Sequence, residues 1–410
     1  MKPRKVPEWI THDEEDGHVV NLAEISKHTH LHTHLTPLFI FKEAYEPDRF
    51  NKTYAKRLEA FCHEKSQELT SKISQIRDDS DEIRDLVYEC LVYSTPGVPW
   101  ASSETGKAAH ALLAAVLELP TVKAGGAATE EALVLSVLNG LTKKVFKPGV
   151  QGPAENADPT LLHAIVHCFT AYVKYPHLSQ HAEYVMDLSR YLLDNKDCVY
   201  DLRAMGAALL NHSALNLNAA EYRWYRETAK REITSNLWSH EPGLLRVLIP
   251  CTVSTCRILS DDRDFVESVL EIWIKCITLA TENSIKTVFV RHLTQMLDVC
   301  PLDMVILSLK QLVPLVSELV LMSDTETRAA AAQATLWIVS KCWVRVKPYC
   351  MVIARHCALS YVDWADVEGN DELVGTIKQV LSKLLLLCDG DESARGDLEE
   401  VINVAEIEMN

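Results

Sequence analysis

Four arginines recur at a spacing that leaves few folds open. Arg203 in DLRAMGAALLNHS, Arg246 in GLLRVLIPCTVSTC, Arg291 in VFVRHLTQMLDVC and Arg328 in ETRAAAAQATLWIV follow one another at intervals of 43, 45 and 37 residues. Each is read as opening an apolar stretch of helical periodicity. Self-similarity at ~40–47 residues marks two-helix solenoid repeats of the HEAT and armadillo kind. A single repeat cannot bury its apolar face, so neighbours stack into an extended body that binds other proteins along its surface. The expected fold is therefore an all-α, HEAT/armadillo-like solenoid of about fifteen helices. Arginine at the start of an inner repeat helix pairs with an acid in the adjoining turn, and Asp201 and Asp324 are placed for such pairs.

Composition agrees with a helical body. Hydrophobic residues make up 48% of the 410, enough for a continuous core, and the 14 glycines are about half the usual ~7% usage. The charge balance, 41 basic against 57 acidic residues, gives −16. Nucleic-acid binding needs a positive footprint to release phosphate counterions, so nucleic acid is not an expected partner. The short KPRK (Lys2, Arg4, Lys5) resembles a nuclear address of poor specificity. Twelve cysteines invite a disulfide reading, but no CxxC occurs. Cys168, Cys251, Cys276, Cys342, Cys350, Cys357 and Cys388 lie in apolar helical stretches, where free cysteine acts as a small hydrophobe. With no signal peptide and no apolar run near ~18 residues, the expectation is a reducing compartment, cytosol or nucleus, and no membrane.

The chain divides into a loosely ordered extension over 1–50, helical repeats over 51–145, a Gly/Pro-rich loop at 146–159 and a HEAT-like solenoid over 160–410. Helices are predicted from about 51, over about 81–94 and from 103. Phe265, Val266, Val269, Leu270, Trp273, Cys276 and Ile277 form the stripe of an amphipathic helix. Ser323-Asp-Thr-Glu326 offers a capping box, with Ser323 accepting from the Glu326 backbone and Glu326 reaching back. Pro314 is expected to kink its helix.

The loudest chemical signal is the alternation of His28, His30, His32 and His34 in KHTHLHTHLTP. In extended backbone the four imidazoles share one face and can hold a metal. A metal-dependent hydrolase would need further ligands on later strands, and no strand series is found, so the cluster reads as an exposed polar tail. GVPWASSETGKA fails as a phosphate loop on spacing, with Ala108 where the hydroxyl belongs. DGDESARGDLEE (389–400) places acids as in a calcium loop, but Ala394 replaces the turn glycine. No catalytic residue, cofactor or metal is therefore assigned.

Several strings taken in order resemble a known family. PHLSQHAEYVMDLSRYLLDNKDCVYDLRAMGAALLNHSALNLNAAEYRWYRETAKREITSNLWSHEPGLL (176–245) is similar to the central block of the Tel-two-interacting protein two family, with its LSQH, its L-R-A-M-G helix, Tyr222, Tyr225 and a His-Glu-Pro turn. VFVRHLTQMLDVCPLDMVILSLKQLVPLVSELV resembles the next helical pair, and Trp343-Val344-Arg345-Val346 resembles the Trp-x-Arg-Val end of a repeat helix. Pro99-Trp100 is similar to a Pro-Trp turn of the family. The resemblance spans about 85–390. Val344 stands where the family often has proline, and the histidine-rich N-terminus has no counterpart. The resemblance implies a non-catalytic adaptor, the smallest subunit of the triple-T co-chaperone complex. Its partners would be the two other subunits and, through them, the heat-shock chaperone machinery and phosphatidylinositol-3-kinase-related kinases. Trp337, Trp343 and Arg345 are candidate partner-binding anchors, because Trp and Arg dominate hot spots; Trp337 reads equally as core. A generic repeat-type carrier is the alternative.

Overall fold

In the computed structural model, residues 52–78, 80–95, 101–124, 132–135, 137–138, 142, 159–194, 202–365 and 367–407 are described. Among them there is helix and no strand. Two compact units form, one within residues 1–177 and 196–202, the other from 178–195 and 203–410. The expected extension at 1–50, with the alternating His28, His30, His32 and His34, lies outside the described residues, as do the loop from 146 to 158, Pro99, Trp100 and Asp201.

In the first unit α1 (Lys52–Ile73), α2 (Ser80–Ser94), α3 (Ser103–Leu117), α4 (Pro120–Ala124) and α5 (Pro159–Tyr172) follow in order. The helix α3 lies against α1 and α2, and α2 also packs on α5. Leu69, Leu91, Leu112, Val116, Ile165 and Phe169 are fully buried there. Ser102 caps α3 by accepting from the Thr105 backbone at 3.1 Å. Thr105 itself is buried and donates to the Cys62 carbonyl at 3.2 Å, tying α3 to α1. An N-capped helix start is thus what GVPWASSETGKA contains.

The second unit begins with α6 (His177–Gln180) from Leu178 on, then α7 (Ala182–Asp194), α8 (Leu202–Asn216), α9 (Ala219–Arg223), α10 (Arg226–Asn236), α11 (Pro242–Ile258) and α12 (Arg263–Leu279). It continues with α13 (Asn283–Arg291), α14 (Leu293–Val299), α15 (Leu302–Leu319), α16 (Thr325–Lys341), α17 (Trp343–Val346), α18 (Cys350–Trp364), α19 (Asp371–Leu387) and α20 (Glu392–Val404). The pairs α10/α11, α12/α13, α15/α16 and α18/α19 are helical hairpins packed within themselves. Like helices then stack: α7, α10, α12, α15, α18 and α20 form one layer, and α11, α13 with α14, α16 and α19 form the other. Two layers of stacked hairpins, each touching its neighbours, make this an α-solenoid of HEAT/armadillo type. More helices occur than the roughly fifteen expected because short pieces such as α9, α14 and α17 break off at repeat corners.

The stripe read on α12 is buried as a whole. Trp273 is fully enclosed; its indole N–H donates to the Phe289 carbonyl at 3.2 Å, and its ring meets Phe289 edge-on at 5.4 Å. Ala331, Ala332 and Ala334 are fully buried on α16, where α13 and α19 pack against it. Gly206 marks the tightest approach: Ser189 Oγ donates to its carbonyl at 2.7 Å, and a Cβ there would meet the Ser189 carbonyl oxygen at 2.8 Å. Pro250 and Pro314 both sit inside continuous helices, α11 and α15. The eleven described cysteines are free and buried. Burial pushes the thiols of Cys251, Cys300 and Cys357 up to about 12 and that of Cys276 to about 11.

Candidate functional site

The cap of α16 differs from the reading of Ser323. Asp324 is the N-cap and accepts from the Thr327 backbone at 2.8 Å. Glu326 is thereby free to reach away from its own helix, and it pairs with Arg291. A carboxylate accepts more strongly than a hydroxyl at a helix N-terminus, so Asp324 takes the cap. Because it does, Asp324 is not the partner of Arg328.

The four register arginines occupy four different settings. Arg203, second in α8, donates to Glu241 at 2.5 Å and to the Asn236 side-chain oxygen at 2.7 Å. Arg246 is exposed on α11 and joins no ion pair among the described residues. Arg291 ends α13, where the reading had it opening a helix. Arg328, on α16, is buried: its Nε donates to the Met322 carbonyl at 2.7 Å, its guanidinium stacks 4.5 Å from the Trp364 ring centroid, and Asp363 lies 3.9 Å away. Burial, only partly offset by Asp363, draws its pKa down. A rule does emerge from the polar links between repeats. Ser179–Glu221, Arg203–Glu241, Arg223–Asp261, Lys230–Asp262 and Gln333–Thr376 step 42, 38, 38, 32 and 43 residues along the chain. Each rung joins one repeat to the next.

Trp337 and Trp343 separate cleanly. Trp337 is half-buried, and its indole N–H is committed to Asp298 on α14 at 2.5 Å. Then α16 stops at Cys342, and the one-turn helix α17 starts. Cys342 and Val346, four residues apart, both point inward and are buried. The residues between them must point out: Trp343 is 58% and Val344 62% exposed, and Arg345 is exposed beside them. A short 3-10 turn, Lys347–Tyr349, leads into α18. Val344, Pro348, Met351 and Ala394 line an open concavity of about 490 Å³, with Cys350 and Cys388 at its floor. Lys347 Nζ, 3.2 Å from Asp391, closes one edge. Lys341, Arg345 and Arg355 are exposed and join no ion pair among the described residues. Of these three only Arg345 was picked out from the sequence. The signal available for the other two is the lack of any Asp or Glu between Glu326 and Asp363.

Asp391 also settles the acidic string 389–400. It caps α20 by accepting from the Ala394 backbone at 3.2 Å, so the later carboxylates ride on a helix and not in a metal-binding loop. Among the described residues no group of three or more His, Cys, Asp or Glu side chains is gathered for a metal, and no helix is long and apolar enough to cross a membrane.

The sequence matches no family model and no curated protein. Among solved structures, an engineered protein shares 11% identity over 89% of this chain and 98% of its own, with a TM-score of 0.46. Importin beta, crystallised in ammonium sulfate, shares 9% identity over 94% of this chain and 58% of its own length, with a TM-score of 0.45. The solenoid assignment stands on the stacking of the hairpins themselves.

Proposed function

We propose that this chain is a non-catalytic adaptor subunit of the triple-T co-chaperone complex, supporting the maturation of phosphatidylinositol-3-kinase-related kinases with the heat-shock chaperone machinery. At the coarser level, an α-solenoid fits a helical-repeat adaptor whatever its complex. One observation carries the reading: Trp343, Val344 and Arg345 stand exposed on a single turn at a repeat corner. They belong to the Trp-x-Arg-Val string in which the family resemblance lies. Exposed aromatic and arginine side chains beside a concavity are the chemistry of interface hot spots. The cytosol, with the nucleus as a second site, is where the reading locates the chain.

The test is an affinity purification of the tagged full-length chain from its native cells, read by mass spectrometry. Two large helical-repeat partners in near-equal amounts, with lipid-kinase-like clients trailing, are the expected outcome. Trp343→Ala should cut their recovery by about tenfold or more. Recovery of importin-type cargo alone, or of metal-column background alone, overturns the reading.

A further inference from the structure

The net charge of −16 hides local reversals, and the longest lies in the second unit. From Thr327 to Val362 the chain has no aspartate or glutamate, although it carries 57 elsewhere. Arg328 in this run is buried, and Lys347 is held by Asp391. Lys341, Arg345 and Arg355 remain exposed and without an ion pair among the described residues. Trp343 and Val344 stand exposed among them, and Val344 lines the concavity.

We propose that this corner, from the end of α16 through α17 to the first half of α18, docks an acidic peptide segment bearing one bulky apolar side chain. The inference rests on the protein-binding role proposed above and names the chemistry of the partner. The apolar side chain packs on Trp343 and Val344 over the concavity, and carboxylates on either side meet Lys341, Arg345 and Arg355. Arginine suits this task because its planar fork binds a carboxylate in two-point fashion. The acidic body does not defeat the attraction. At physiological ionic strength charges beyond ~8 Å are largely screened, so a docked peptide responds to the cations beside it. A nucleic acid fits less well: three free cations release few counterions, and the surrounding body repels an extended polyanion.

The experiment uses the purified full-length chain and a short fluorescein-labelled peptide rich in Asp and Glu around a single central Phe, followed by fluorescence anisotropy. Binding is expected at a Kd of about 10–100 μM, weakening as salt is raised. Replacing the peptide's acids by Asn and Gln, or its Phe by Ala, should abolish it. A chain carrying Lys341→Glu, Arg345→Glu and Arg355→Glu should bind at least about tenfold more weakly, and so should Trp343→Ala. All four positions are exposed, and circular dichroism checks that the helices persist. No binding below about 1 mM, equal binding by the charge-reversed chain, or tighter binding of a single-stranded oligonucleotide overturns the proposal. The assay contains no other protein, so the co-chaperone assignment and this docking chemistry can fail independently.

Discussion

The two units place their charged side chains differently. Residues 52–177 bury a cluster: Lys65 and Glu89, each 5% exposed, meet at 2.6 Å, and Lys72 and Glu68 complete the group. The Lys65 ammonium also lies 4.9 Å from the Tyr93 ring centroid. Burial alone would raise the pKa of Glu68, but Lys65 and Lys72 outweigh it and hold the carboxyl below its ordinary value. Residues 178–407 instead keep most charged rungs at the rim, as with Arg291 and Glu326, each about half exposed. The buried cluster locks one particular pair of helices together. The rim rungs set register between repeats and add little energy individually. Arg328 is the exception, a rung drawn into the core.

Glu89→Ala attacks the contrast at its strongest point. It leaves Lys65 and Lys72 to share Glu68 alone, with one positive charge uncompensated, and should cost about 3–5 kcal/mol in the first unit, read by urea denaturation. A loss below about 1 kcal/mol would mean that the two units handle charge alike.

Acid gives the next largest effect, again in the first unit. Burial holds His163 at about 4, and burial together with His110 holds His167 at about 4, against an ordinary 6.5. The unfolded chain therefore takes up protons first. Stability is complete above about pH 6.5 and drains as pH falls towards about 4, by roughly 3 kcal/mol for His163 alone. His163→Leu should flatten that slope in calorimetry across this window.

Arg328→Met tests the exception. It keeps the aliphatic bulk but leaves the Met322 and Leu321 carbonyls without their donor, a cost of about 2–3 kcal/mol in the second unit's denaturation. Arg291→Ala, which breaks an exposed rung, should change the same midpoint by less than about 1 kcal/mol, and high salt should erase the difference. Equal costs for the two arginines would sink the distinction between core and rim.

Much of the second unit was legible because helical stripes and repeat spacing are local properties. The α12 stripe there, and in the first unit the start of α3, could be read directly, and the arginine intervals of 37–45 residues echo rungs that step 32–43. The roles of the individual arginines could not be read. Which acid meets which arginine depends on how far one hairpin shifts against the next, and no local pattern encodes that offset. Arg203 reaches Glu241, thirty-eight residues on. The two tryptophans were equally opaque, since α16 ends between them and turns Trp343 outward. The basic corner was concealed by averaging, because a net charge says nothing of where the acids are missing.

The stepwise rungs bear on how the chain is made. Contacts that reach back only about one repeat give a low contact order, and such folds assemble fast. At ~5–20 residues per second on the ribosome, each hairpin of the second unit meets its neighbour within about ten seconds of leaving the tunnel. Until the next hairpin arrives, the newest one presents the apolar face that α16 later offers to α19. A nascent chain paused there would be a stack of finished repeats with one sticky end, open to capture by whatever binds apolar helices first.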